Sequence, residues 1–141
     1  MSISAQQRQR LIRMARAASR HAYAPYSKFQ VGAAVLLNNG QFFSGCNVEN
    51  ASYGLTICAE RNAIFSAVAK SSRKPEIIAA AVVNDRGVAC SPCGACRQVL
   101  AEFGPRAEVW YPVDGRFVHR TMQELLVDGF VFTPPKSNAP N

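Results

Sequence analysis

The sequence predicts an α/β fold, a three-layer α/β/α sandwich around a mixed five-stranded sheet. Three observations predict it. An amphipathic, Arg-studded stretch opens the chain, two β-prone runs are joined through Asn39-Gly40, and from residue 58 onward helical and strand patterns alternate. Alternation of this kind gives a sheet with helices on its faces.

Residues 5–22 place Leu11, Met14, Ala15, Ala18 and Ala22 at steps of three and four, an apolar stripe opposite arginines, which predicts one amphipathic helix. Residues 30–37 are apolar and β-prone, Asn38-Asn39-Gly40 carries the signal of a tight hairpin, and 41–48 reads as the returning antiparallel strand. Residues 58–70 are rich in alanine and long side chains without Gly or Pro, and Pro75 follows shortly after Lys70, so a second helix is expected there. Ile77 to Asn84 reads as a buried strand and 85–92 as a loop. Residues 93–103 form a helix stopped by Gly104-Pro105. Residues 108–111 and 116–119 flank Asp114-Gly115 as a second hairpin, and Thr121 with Glu124 forms a capping box for a short last helix. The expected organisation is a single domain over 1–133 and a loose, proline-bearing tail over 134–141.

Composition narrows the function classes. At 141 residues, 48% hydrophobic and 18% charged, the chain has globular composition. Its longest apolar run, Ile77 to Val83, falls far short of the ~20 residues a membrane-spanning helix needs. The net charge of +7 is concentrated early: residues 1–48 hold six cations and no acid, leaving +1 for the rest. An anionic partner such as nucleic acid and a plainly solvated helix face explain this equally well. The Arg-rich start is also compatible with an organellar presequence, although cytoplasm is the expected compartment. Five cysteines, an odd number unevenly spaced, argue against a disulfide framework and for reduced thiols, some of them metal ligands.

Two motifs carry the chemistry, Cys58-Ala59-Glu60 and Pro92-Cys93-Gly94-Ala95-Cys96, each opening a helix. Cys-x-x-Cys alone serves redox centres, structural zinc and catalytic zinc alike. Cys93 and Cys96, three apart at a helix start, share one face where backbone N–H groups favour thiolate. For Cys58 and Glu60 to face the same ion, Cys58 has to sit at or just before the first turn, where the backbone is not yet helical. Three ligands with an open fourth position are the mark of catalytic zinc. Cys46, Cys90, His21 and His119 are the available fourth ligands, and each has an ordinary packing or surface explanation.

The runs Cys58-Ala59-Glu60-Arg61-Asn62-Ala63 and Ser91-Pro92-Cys93-Gly94-Ala95-Cys96-Arg97-Gln98-Val99-Leu100 closely resemble the small homotetrameric zinc-dependent cytidine deaminases, with Cys in place of the His of the commoner zinc-deaminase signature. Tyr26-Ser27-Lys28-Phe29 and the run from Gly45 to Tyr53 extend the likeness over roughly residues 8–132. The resemblance implies cytidine and deoxycytidine as substrates, uridine and ammonia among the products, one Zn²⁺ per subunit on Cys58, Cys93 and Cys96, and a homotetramer. It implies that Glu60 moves protons between water, N3 and the departing ammonia. Arg61 and Gln98 would donate hydrogen bonds to ligand thiolates, easing the net −1 that three thiolates give Zn²⁺. Asn47 and Glu49, two apart at a strand end, would grip ribose hydroxyls, Phe29 would stack on the base, and Ala59 would offer backbone contacts. Tyr26, Tyr53 and Phe132 resemble aromatics that complete a neighbour's pocket. The expected partner is thus a free nucleoside, with neither membrane nor nucleic acid.

Rival readings fit less of the chain. A zinc-stabilised RNA- or protein-binding module leaves Glu60, Asn47 and Glu49 without roles, and a Cys-x-x-Cys redox centre requires metal-free cysteines. A deaminase of polynucleotides or of a nucleoside antibiotic shares the metal site, but Phe29 and Asn47-Val48-Glu49-Asn50 favour cytidine.

Overall fold

The computed structural model describes residues 2–134. Helix α1 spans Ala5–Ser19 and starts at a capping box: the Ser4 hydroxyl accepts from the Gln7 amide while the Gln7 side chain accepts from the Ser4 amide. It ends three residues earlier than its periodicity predicts. His21 and Ala22 make tight i→i−3 bonds, Pro25 disfavours helix at Ala24, and Tyr23 leaves to bridge Val48.

Strand β1 (Val31–Leu37) is buried throughout and turns through Gly40, at φ +86°, into β2 (Phe42–Cys46). The expected returning strand is shorter at both ends, and Val48 makes isolated bridges to Tyr23 and Ile57 instead. A single 3₁₀ turn, Tyr53–Leu55, leads to α2 (Ala59–Lys70). Then follow β3 (Ile77–Asn84), α3 (Gly94–Phe103), β4 (Glu108–Val113), β5 (Arg116–Thr121) and the short α4 (Met122–Leu125), again opened by a capping box, Thr121 with Glu124.

The sheet order is β2-β1-β3-β4-β5. Only β3 and β4 are parallel, and α3 is the crossover between them. One face packs on α1, burying Leu11 and Ala15 against Ala34, Leu36, Ala79, Ala81 and Val83. The other carries α2, α3 and α4, with Ile64, Leu100, Met122 and Leu125 against Val35, Leu37, Ile77, Val82 and Val109. The three layers and five strands match the expectation. The expected 134–141 tail lies, apart from Pro134, outside the described residues. Among the described residues, no helix is long and apolar enough to cross a membrane.

Glycine sets two interlayer distances. A Cβ at Gly32 would meet the Ala15 carbonyl of α1, and one at Gly45 would meet the backbone of Ala59, Asn62 and Ala63 in α2. The start of α2 therefore lies directly on β2, one residue from Cys46. The Asn62 side chain reinforces this by donating to the Cys46 carbonyl at 2.8 Å.

Candidate metal and active site

Cys58 and Cys93 occupy the N-cap positions of α2 and α3, with extended backbones (φ, ψ of −69°, 155° and −67°, 166°). The placement of Cys58 just outside the helix, required for it to share a site with Glu60, is met. Cys96 lies buried in the first turn of α3. The three sulfurs fall within 4.8 Å of one another, with Cys58 and Cys93 Sγ 3.9 Å apart. A tetrahedral zinc with ~2.3 Å bonds to sulfur holds its thiolates ~3.8 Å apart, so the cluster fits that ion. Cys93 is exposed, which leaves the cluster open on one side.

The local electrostatics favour thiolate. The Cys58 thiol is brought down to about 5, first by a hydrogen bond from the Cys96 thiol and then by Arg61, against the opposing effect of burial. Cys96 is pushed up as the proton-holding member of the pair. Arg61 Nη2 donates to Cys58 Sγ at 3.4 Å, and that contact holds the guanidinium above its ordinary range. Two helix N-termini add positive potential on the same side.

Glu60 is 8% exposed, and its Oε2 accepts from Cys96 Sγ at 3.6 Å. Burial raises its carboxyl above the usual range, and the negative Cys58 adds to the effect. A carboxyl shifted upward in this way is better suited to exchange protons with a substrate than an ordinary surface glutamate. Ala59, fully buried at the first position of α2, lies between Cys58 and Glu60.

Asn47 and Glu49 do turn to one side, toward segment 26–31. Asn47 Oδ1 accepts from the Val31 amide and its Nδ2 donates to the Phe29 carbonyl, both at 2.8 Å. Glu49 Oε1 accepts from the Tyr26 and Ser27 amides at 2.9 and 3.1 Å. Its carboxyl is held below the usual range, chiefly by the Ser27 side chain. The Val48–Ile57 bridge sets this stretch alongside the residue before Cys58. Phe29 packs against the core cluster that contains Ala59, with Cys90 packed on the same cluster. A cavity of about 390 Å³ is lined by Tyr26, Ser27, Glu49, Tyr53 and Thr56, with Tyr26 and Tyr53 edge to face at 5.8 Å.

Two expected residues lie elsewhere. Gln98 does not donate to a thiolate: its Nε2 donates to the Phe130 carbonyl at 3.1 Å. Two residues along a helix is a rotation of about 200°, so Gln98 faces away from Cys96. Phe132, 71% exposed, lies over a groove beside Ala101, Glu102 and Leu126, away from the α3 N-terminus and the three thiols. Sequence reasoning missed Arg97, although it stands inside the quoted motif. Its guanidinium donates to the Pro92 and Leu125 carbonyls and to the Ser91 hydroxyl, fixing the turn that presents Cys93 and tying it to α4. Cys46 and Cys90 lie outside the three-sulfur cluster, and burial pushes the Cys90 thiol up to about 11.

The chain matches the cytidine and deoxycytidylate deaminase zinc-binding region over residues 5–111. It is 48% identical over 125 residues to a cytidine deaminase from Halalkalibacterium halodurans, covering 87% of this chain and 93% of that one. The solved cytidine deaminase from Burkholderia pseudomallei superposes with a TM-score of 0.80 at 48% identity, covering 91% of this chain and all of the other. That from Mycobacterium tuberculosis gives 0.76 at 40% identity, covering 88% and 97%. With the three-thiol cluster and its buried glutamate at two helix starts, and this likeness running through nearly the whole fold, the chain belongs to the zinc-dependent cytidine deaminase family.

Proposed function

We propose that this protein hydrolyses cytidine and deoxycytidine to uridine and deoxyuridine with release of ammonia, in pyrimidine salvage. The observation that carries the reading is a buried Glu60 against three thiols at two helix N-termini, with the cluster open on the Cys93 side.

Cys58, Cys93 and Cys96 would hold the zinc. When bound, zinc supplies the Lewis acidity that makes a water nucleophilic near neutral pH. Glu60 takes one proton from the attacking water and passes it to N3, then takes the second proton from the hydroxyl newly bonded to C4 and delivers it to the amine, which leaves as ammonia while the C4 carbonyl forms. A carboxyl raised above its usual range is suited to both halves of the exchange. Arg61 draws negative charge off Cys58, so that three thiolates do not quench the metal. The Gln98 side chain donates to the Phe130 carbonyl and so ties α3 to the segment after α4.

Substrate is held by the segment that Asn47 and Glu49 order. Asn47 sets the Phe29 backbone, so the ring can stack on the pyrimidine, and its amide retains a second N–H for a ribose hydroxyl. Glu49 spends one oxygen on the Tyr26 and Ser27 amides and keeps the other for the 3′-hydroxyl. The backbone of Ala59 contacts the base.

The active species is a homotetramer. Tyr23, Tyr26, Tyr53 and Leu55 are all more than 45% exposed, and Tyr26 and Tyr53 meet at the cavity wall. Burying that apolar surface favours association. Phe132, remote from its own thiols, is then free to complete a neighbour's pocket. Five free thiols support a reducing compartment, the cytoplasm. Purified protein should convert cytidine to uridine, followed by absorbance, and lose the activity to a chelator in step with measured zinc. No conversion by zinc-loaded protein contradicts the reading. Sedimentation of a fully active monomer contradicts the tetramer.

A further inference from the structure

The segment that carries Phe29 is strained, and its bonds to Asn47 and Glu49 leave part of it unsecured. Lys28 adopts a left-handed backbone, φ +57°, an uncommon conformation for a side chain of that length. Such a bend persists only where neighbours over-determine it. The loop after β3 reaches the same segment. Asp85 Oδ1 accepts from the Gln30 amide at 3.2 Å. Arg86 Nη2 donates to the Lys28 carbonyl at 2.8 Å and to the Ser27 carbonyl at 3.4 Å. Its guanidinium carbon lies 5.4 Å from the centre of the Phe29 ring. The Arg86 amide in turn donates to Asn84 Oδ1 at the end of β3, so the arginine is set on a rigid strand end.

We infer that Arg86 is a positioning residue for the base-stacking ring: it locks the Ser27–Lys28 bend from above and holds the plane of Phe29 by a cation–π contact. The inference rests on the deaminase reading for its substrate, and on this chain's own geometry for the brace. A planar guanidinium can meet two carbonyls and a ring face at once, which an ammonium cannot. Arg86 touches none of the thiols or Glu60 in the structure, so its influence belongs to substrate binding and not to proton transfer.

The test combines kinetics with hydrogen exchange on zinc-loaded protein. Arg86→Met should raise KM for cytidine about five- to tenfold and leave kcat within about twofold, the range of one solvent-exposed cation–π contact together with a hydrogen bond. Arg86→Lys keeps the charge and should recover less than half of that loss, because the ring contact depends on the plane. In a Phe29→Leu background, Arg86→Met should cost less than about twofold more, since the two act through one another. Independently of any substrate, amides in a peptide spanning residues 26–30 should exchange faster in Arg86→Met. Unchanged KM, a fall confined to kcat, a full penalty in the Phe29→Leu background, full rescue by lysine or unaltered exchange each overturn the inference. Parent protein inactive on cytidine, with exchange still accelerated in Arg86→Met, would refute the substrate and leave the brace standing.

Discussion

Replacing Asn47 by alanine removes a side chain on which both fold and pocket depend. Asn47 is 9% exposed, and its amide closes two 2.8 Å bonds, from the Val31 amide and to the Phe29 carbonyl. Alanine leaves both backbone groups unpaired at the buried start of β1. An unsatisfied buried polar group costs about 1–3 kcal/mol, so the pair amounts to about 2–4 kcal/mol, centred on about 3, if each falls in the lower half of that range. For a domain of this size each kcal/mol shifts Tm by about 3–4 °C, giving a fall of about 10 °C. The effect on activity follows from the same bonds. Freed from Asn47, the Phe29 carbonyl no longer fixes the ring, and KM for cytidine should rise at least about tenfold, a loss of 1.4 kcal/mol. Thermal unfolding of zinc-loaded parent and variant, with initial rates over a range of cytidine concentrations, measures both. A Tm within about 2 °C of the parent, together with unchanged KM, would show that Asn47 neither supports the strand nor sets Phe29.

Further outcomes follow from the thiol cluster and from Glu49. Replacing Cys46 and Cys90 together by alanine should leave about one zinc per chain, since neither belongs to the three-sulfur cluster; loss of metal would point to a closed structural site. In chelated protein, Cys58, lowered to about 5, is deprotonated at pH 7 and should be alkylated readily, whereas Cys90, raised to about 11, stays protonated and should react slowly. Mass mapping of the alkylated positions decides it, and the reverse order contradicts the assignment. Glu49→Gln should lower cytidine turnover and narrow discrimination against 3′-CMP, because a carboxylate repels a 3′-phosphate that offers it no donor. A parent that accepts 3′-CMP or single-stranded DNA as readily as cytidine refutes that role.

Much of this was legible in local sequence, for identifiable reasons. The hairpin at Asn39-Gly40, the capping box at Thr121 and the two Cys-initiated helices are encoded within a few residues, and the structure contains all of them. Cys58 at the N-cap was required by the angle between neighbouring helical side chains and was found there. The features that escaped depend on distant partners. Helix α1 stops at Ser19 because Tyr23 pairs with Val48. The 3₁₀ turn Tyr53–Leu55 has no periodicity to announce it. Asn47 was read for its side chain's reach toward a sugar, while its bonds run to residues 29 and 31, and no local pattern reports a contact across that span. Arg97, by contrast, was visible in the motif, but its three acceptors are set by the packing of α4 against α3.

The central claim is that Glu60 moves protons while three thiols hold the metal, and Glu60→Ala separates the two tasks. Its carboxyl belongs to no part of the three-sulfur cluster, so the variant should fold and retain about one zinc per chain. Without the proton carrier, cytidine turnover should fall by at least about 10²- to 10⁴-fold, the usual range for a positioned acid–base group. Metal content, the unfolding transition and deamination rate are to be measured on one preparation. A folded, zinc-loaded variant with almost no deamination is the expected result; near-normal deamination by that same protein would contradict the account.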